Sequence, residues 1–181
     1  MNIYVVADTH LFHNNIKKYC NRPDNFNELI IDNWNKTIKD EDLVIHLGDV
    51  IFDKDRIGII KTLKGQKILV KGSHDTETNT FYINNGFILV CKFICISNIL
   101  LSHEPIPHWF LSSNISCNVH GHFHNNDTSC WEKELKAQIG DKHLLFILEK
   151  EGTNYMPVLL EEVHKKLIKT KDVVNGLIKI R

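Results

Sequence analysis

Carboxylates and imidazoles recur in this sequence at the ends of short apolar runs. A run at 3–7 leads into Asp8-Thr9-His10, and a run at 43–47 leads into Gly48-Asp49. A third, at 67–70, leads into Gly72-Ser73-His74-Asp75. Later runs lead into His103 and into Gly121-His122-Phe123-His124. Each pattern alone has an ordinary reading as a polar turn. Repeated at five strand ends, they describe a site, because open α/β sheets bind ligands just past the carboxyl ends of their strands. Asp8, His10, Asp49, His103, His122 and His124 are six candidate ligands without a cysteine, which excludes a structural cysteine–zinc site and iron–sulfur clusters. Six is too many for one open catalytic ion. It suits two divalent ions sharing a carboxylate, ~3.5–4 Å apart, as in phosphoryl transfer.

The elements that must position these residues follow from periodicity. Strands are predicted at 3–7, 43–47 and 67–70. Helices are predicted at 25–39, where Phe26, Leu29, Ile30, Trp34 and Ile38 repeat at three or four residues, and at 51–63, with Ile57, Ile59, Ile60 and Leu63 inward. Alternating strands and helices imply a parallel sheet with crossover helices. The second half reads as strands at 87–96, 99–102, 117–120, 144–149 and 156–160, with turns at Asn98 and at Glu151-Gly152. The fold class expected is α/β with α+β character, a two-sheet βαβ sandwich flanked by helices, in one domain spanning 1–181. The tail 164–181 carries six Lys/Arg against one Asp and is predicted as a surface helix with Leu167, Val174, Leu177 and Ile178 inward.

Composition bounds the function. Lys+Arg and Asp+Glu are both 22 and cancel, so a strongly basic nucleic-acid binder is excluded. The five cysteines are odd in number with no C-x-x-C spacing, which argues against a disulfide framework. No apolar run approaches ~18 residues, and the first eight residues carry no basic n-region, so a cytoplasmic protein without a membrane partner is expected.

Asp8-x-His10, Gly48-Asp49, Gly72-Ser73-His74-Asp75, His103 and Gly121-His122-x-His124 resemble, in order, the five motifs of the calcineurin-like metallophosphoesterase superfamily. His13, Asn14-Asn15-Ile16, Arg22-Pro23, Asn33-Trp34-Asn35 and Asn154-Tyr155-x-Pro157-x-x-Leu160-Glu161-Glu162 resemble its small single-domain bacterial and phage members, so the likeness runs to about residue 163. The resemblance implies the calcineurin-like fold and hydrolysis of phosphate mono- or diesters by a hydroxide bridging two divalent ions. Mn²⁺ is the first choice, with Fe, Zn or Ni as alternatives. It places Asp8, His10, Asp49 and His124 on one ion. It places Asp49, Ser73, His103 and His122 on the other. His74 becomes the general acid and Asp75 the carboxylate that orients it. Ser73 stands where the superfamily has Asn, so a weaker second site is expected.

Other residues extend the reading. His13, three residues after His10, and Arg22, a bidentate phosphate donor by type, are candidate substrate contacts. His46 and His120 point away from their motif neighbours by strand alternation and read as supporting or core histidines. His108, Trp109 and Phe110 are a candidate wall for a base or aryl leaving group. The expected partner is a small phosphorylated substrate or nucleotide. Two alternatives stand beside the enzyme. One is a catalytically weakened scaffold of the same fold, motivated by Ser73. The other is a nuclease using the basic tail, which the zero net charge disfavours.

Overall fold

The computed structural model describes residues 1–20, 22–106, 111–115, 117–122, 155–157 and 178–180, with Cys117 and the last two segments described by backbone alone. The elements are β1 (Ile3–Val6), α1 (Ile16–Tyr19), α2 (Phe26–Thr37), β2 (Leu43–His46), a 3₁₀ helix (Lys54–Thr62), β3 (Gln66–Val70), α3 (Asn79–Asn84), β4 (Leu89–Cys91), β5 (Phe93–Ile96), β6 (Ile99–Ser102), β7 (Cys117–His120), β8 (Tyr155–Pro157) and β9 (Ile178–Ile180). They build an α/β structure with two sheets. One sheet runs β4-β3-β2-β1-β9 and the other β5-β6-β7-β8. In the first, β1 to β4 are mutually parallel. In the second, β6 to β8 are parallel and β5 joins β6 as an antiparallel hairpin. Ser97, in the two-residue loop at the predicted Asn98 turn, takes a φ of 56°.

The apolar runs are continuous because the first sheet is covered on both faces. Tyr4, Val6, Val44 and Leu69 pack with Phe26, Ile30 and Trp34 of α2 and with Ile57 and Ile60. The alternate residues Val5, Ala7, Ile45, Leu47, Ile68 and Val70 pack with Leu101 and Val119 of the second sheet. Trp34 ties the helix layer down by donating Nε1–H to the Lys64 carbonyl at 2.9 Å. Asp42 latches strand starts together: its carboxylate accepts from the Asn2 backbone at 2.7 Å and from Lys39 N at 3.1 Å.

Three expectations are corrected. The predicted helix 51–63 is a 3₁₀ helix at Lys54–Thr62. Its buried residues Ile57 and Ile60, with Leu63 just past its end, fall at a strict spacing of three, the 3₁₀ period, while Ile59 is only partly buried. The predicted strand 87–96 is two strands. The exposed Lys92 carries the chain out of the first sheet at Cys91 and into the second at Phe93. The predicted surface helix does not include residues 178–180, which form a strand antiparallel to β1. β1 would otherwise leave a sheet edge with unpaired backbone groups there. The strand predicted at 156–160 is described only over Tyr155–Pro157. The strand at 144–149 and the turn at 151–152 lie outside the described residues.

Trp34 holds α2 against the sheet under the site loops. Trp34→Ala should therefore cost about 3–5 kcal/mol, read as a lower urea midpoint with unchanged m value. A loss under about 1 kcal/mol would mean that α2 docks by other contacts.

Candidate metal centre

Parallel strand direction places the carboxyl ends of β1, β2 and β3 side by side, with those of β6 and β7 opposite them in the second sheet. The loops after β1 and β2 run on together beyond the sheet. His10 N–H donates to Asp49 O at 2.9 Å, Leu11 N–H to Val50 O at 3.0 Å, and Phe52 N–H to Leu11 O at 2.9 Å. The two sheets are stitched at the site by His122 N–H, which donates to Asp8 Oδ2 at 2.9 Å.

Asp49 is the centre of the constellation. Its Oδ2 lies 3.5 Å from His10 Nε2 and 3.5 Å from His103 Nε2. Ser73 Oγ donates to the same oxygen at 3.4 Å, and His74 Nε2 lies 4.0 Å away. Its Oδ1 accepts the His74 backbone N–H at 2.8 Å. Asp8 Oδ1 lies 4.0 Å from both His10 Nε2 and His103 Nδ1. Ligand atoms of Asp8, Asp49 and His103 fall within 4.8 Å of one another, and all three residues are buried.

The donor chemistry fits divalent cations. Two carboxylates this buried and this close repel unless positive charge lies between them. His103 Nδ1 lies 2.8 Å from the Leu47 carbonyl, which can only accept, so the proton is on Nδ1 and Nε2 presents a lone pair. His122 Nδ1 is 3.1 Å from His103 Nε2 and, with that nitrogen accepting, donates to it in this structure. Neighbouring ligands at ~2.1 Å from one ion are separated by roughly 3.0–3.4 Å, so the two imidazoles stand at ligand spacing.

The backbone around the site is strained. Among the described residues, the non-glycine positions with positive φ are Asp8 (54°), His10 (44°), Phe12 (61°), Asp49 (56°), His122 (80°) and the hairpin residue Ser97. Four of these six are candidate ligands. Each such conformation costs ~1–3 kcal/mol and persists only where surrounding contacts over-determine it. Glycines make the close approach feasible. Gly48 has φ 91°, and a side chain there would strike Gly72 N and lie 2.8 Å from His103 Nδ1. A side chain at Gly121 would strike Asp8 Oδ2, and one at Gly72 would strike Asp49 Oδ1.

Two expected roles change with the geometry. Asp75 was expected to orient the His74 ring. Its carboxylate instead accepts three backbone N–H groups, from Asp49 at 2.7 Å, Gly72 at 2.8 Å and Val50 at 3.2 Å. It is turned inward because those N–H groups belong to strained loops with no ladder partner. Arg22 was expected to clamp phosphate. It is buried, with Nη1 donating to Thr9 O at 2.6 Å and Nη2 to Asp8 O at 2.7 Å, which pins the left-handed turn after β1. His13 borders the site cavity, stacked on Phe52 with ring centroids 4.1 Å apart. His124 and the segment 108–110 lie outside the described residues. Three residues that the sequence reading passed over also meet the site. Phe52 and Tyr19 line the cavity, and Lys54 donates to Ile51 O at 2.6 Å and His74 O at 3.1 Å. The available signal was equal offset: Phe52 follows Asp49 by three residues as His13 follows His10.

His46 and His120 are both buried behind the ligand loops. Burial pushes the His46 imidazole down to about 4, and likewise His120. The His46 hydrogen bonds admit one neutral form. Thr9 Oγ1 donates to Val50 O at 2.7 Å, so it accepts from His46 Nε2–H at 2.9 Å. Gly48 N–H donates to His46 Nδ1 at 3.2 Å. A proton on Nδ1 would face that N–H. Unfolded His46 takes up its proton near 6.5 and folded His46 only near 4. The unfolded state therefore binds more protons between these values, and stability falls as the pH drops through that window, by about 3 kcal/mol for this group. The urea midpoint should decline from pH 7 to 4. His46→Gln should begin lower and decline less steeply, whereas equal steepness would assign the acid sensitivity elsewhere.

No family model matches the chain. Among solved structures, the crystal structure of the protein of unknown function AQ665 from Aquifex aeolicus has a TM-score of 0.65 at 24% identity, covering 89% of this chain and 91% of that one. That likeness shows a shared fold. The Pseudomonas putida nuclease MPE has a TM-score of 0.49 at 19% identity, covering 67% of this chain and 61% of that one. In sequence, the Uncharacterized protein MJ1445 of Methanocaldococcus jannaschii is 32% identical over 187 residues, covering 97% of each chain. With that identity sustained over nearly both full lengths, the chain belongs to one family with the Methanocaldococcus jannaschii protein.

Proposed function

We propose that this chain is a two-metal phosphoesterase of the calcineurin-like superfamily, hydrolysing phosphate mono- or diesters. The observation that carries the reading is the position of Asp49 Oδ2, 3.5 Å from an imidazole nitrogen on each side, His10 Nε2 and His103 Nε2. A carboxylate oxygen within reach of two histidine-bearing loops is one that ions held by both loops could use. Asp8 and His10, with His124, would hold one ion. His103, His122 and Ser73 would hold the other. Mn²⁺ suits this mixture of imidazole and carboxylate oxygen. Divalent ions there supply positive charge to the phosphoryl oxygens and acidify water.

The chain's own residues do the rest. The His74 side chain is 52% exposed. It borders the same cavity as His10 and Asp49, with its ring centroid 5.4 Å from that of His10. Its backbone is held from both ends, by its N–H on Asp49 Oδ1 and by Lys54 on its carbonyl. A held backbone with an open ring suits a general acid that protonates the leaving oxygen. Asp75 keeps the His74 and Asp49 loops in register, a positioning role. The strained ligand loops favour an enzyme over a weakened scaffold, since a scaffold gains nothing from left-handed turns at four ligand candidates.

The direct test is metal-reconstituted hydrolysis of phosphomonoesters, phosphodiesters and nucleotides. Calorimetric titration of metal-free protein with Mn²⁺ is expected to show two unequal steps, the tighter on the Asp8 and His10 side. Ser73→Asn should tighten the second step, and Asp49→Asn should weaken both. Two equal steps, or binding indifferent to Asp49, would overturn the assignment.

His74→Ala should retain metal and lower turnover by roughly 10²–10⁴-fold, most for poor leaving groups. Loss of metal, or equal slowing of good and poor leaving groups, would reassign His74.

A further inference from the structure

The cavity over Asp49 has a volume of about 360 Å³ and two kinds of wall. Its floor is polar, with His10, Asp49 and His122. Its rim is aromatic, with His13, Tyr19 and Phe52. Phe52 is 50% exposed and Tyr19 is 64% exposed, as is Phe93, away from this cavity, at 61%, whereas Phe26, Trp34, Tyr82 and Phe87 are all buried. The rim rings are ordered among themselves. His13 and Phe52 stack with an interplanar angle of 21°, and Tyr19 lies 6.4 Å beyond His13. Phe52 is also 6.2 Å from the His74 ring, so the aromatic surface reaches the group that would meet the leaving oxygen. Its backbone N–H on Leu11 O ties it to the ligand loops.

We infer that Phe52, with His13 and Tyr19, is a platform on which the base of a nucleotide stacks while its phosphate lies at Asp49. The placement of the phosphate rests on the phosphoesterase reading; the platform itself rests on the rings. A volume of this size falls in the range of small-molecule sites, where an apolar surface holds the ligand and a few polar groups orient it. The stack is formed before the ligand arrives, so little side-chain freedom is lost on binding. A second cavity of about 440 Å³, sharing Ser73, is bordered by Lys71 and Lys92 together with Asp75, Glu104 and Phe93. The base is assigned to the Phe52 side because that cavity is bordered by Asp49 and carries the stacked pair of rings, whereas the second one mixes ammonium groups with the Asp75 and Glu104 carboxylates.

The test compares two non-hydrolysable ligands on Mn²⁺-loaded protein by calorimetry. One is the phosphonate analogue of AMP, with CH₂ replacing the ester oxygen, and the other is the same analogue of ribose 5-phosphate. Stacking of one base on an aromatic side chain makes the adenine compound about 5- to 150-fold tighter. Phe52→Ala should bring the ratio to near one and leave the ribose compound unchanged. Phe52→Trp should keep or raise it. Phe52 is half exposed, so both variants are expected to fold, which circular dichroism checks. A ratio near one in the wild type, an unchanged ratio in Phe52→Ala, or no binding of the adenine compound overturns the platform. The phosphoesterase reading fails separately. Adenine-selective binding without hydrolysis of any ester removes the hydrolase and keeps the platform. Equal KM for AMP and ribose 5-phosphate keeps the hydrolase and removes the platform. The trinucleotide ApApA, titrated beside AMP, separates a nucleic-acid strand from a free nucleotide as the source of the base.

Discussion

The Asp75 carboxylate, inside the loop after β3, is the contact on which the site's geometry rests. Its Oδ2 holds the backbone N–H of both Asp49 and Gly72, and its Oδ1 holds Val50. Those three groups belong to two loops that have left their sheet and have no ladder partners. Without the carboxylate, Asp49 would have little reason to remain at φ 56°. Its own carboxylate would then leave its place 3.5 Å from both His10 and His103. Buried backbone donors need partners, and one carboxylate supplying three removes several costs together.

Arg22 does the same for the first loop with opposite charge. Its guanidinium takes the carbonyls of Asp8 and Thr9, where Asp75 takes N–H groups. His46 sits beneath both loops, bonded to Thr9 on one and Gly48 on the other. The candidate ligands are thus carried by strained turns that three buried polar side chains hold from behind. Among the described residues around the site, Ser73, His74, Phe52 and Tyr19 meet solvent.

The glycines follow from this crowding. Gly48, Gly72 and Gly121 each lie against a ligand loop from a different part of the chain, with no room for a side chain. Gly72 and Gly121 bear directly on the carboxylates of Asp49 and Asp8. These are packing requirements between loops from two sheets, so a substitution at one glycine would be felt at a ligand more than a hundred residues away, as at Gly121 and Asp8.

The sequence by itself determined the strands of the parallel core and the candidate ligands at their ends. Both are local facts: a short apolar run makes a strand, and the residue after it faces the sheet's carboxyl edge. It also determined that His46 points away from its motif neighbours, because alternation along a strand leaves no choice. Tertiary structure alone decided that the run 87–96 divides at Lys92, since no local signal separates a strand shared between two sheets from one that stays. It decided that the buried spacing of Ile57, Ile60 and Leu63 is served by a 3₁₀ helix. It decided that residues 178–180 pair with β1, because an edge needs a partner that may come from anywhere in the chain. It also decided the roles of Asp75 and Arg22. A carboxylate or a guanidinium can serve a substrate or the backbone equally well by its chemistry. Which of these it meets depends on loops 13 to 26 residues away that come close only in the folded chain.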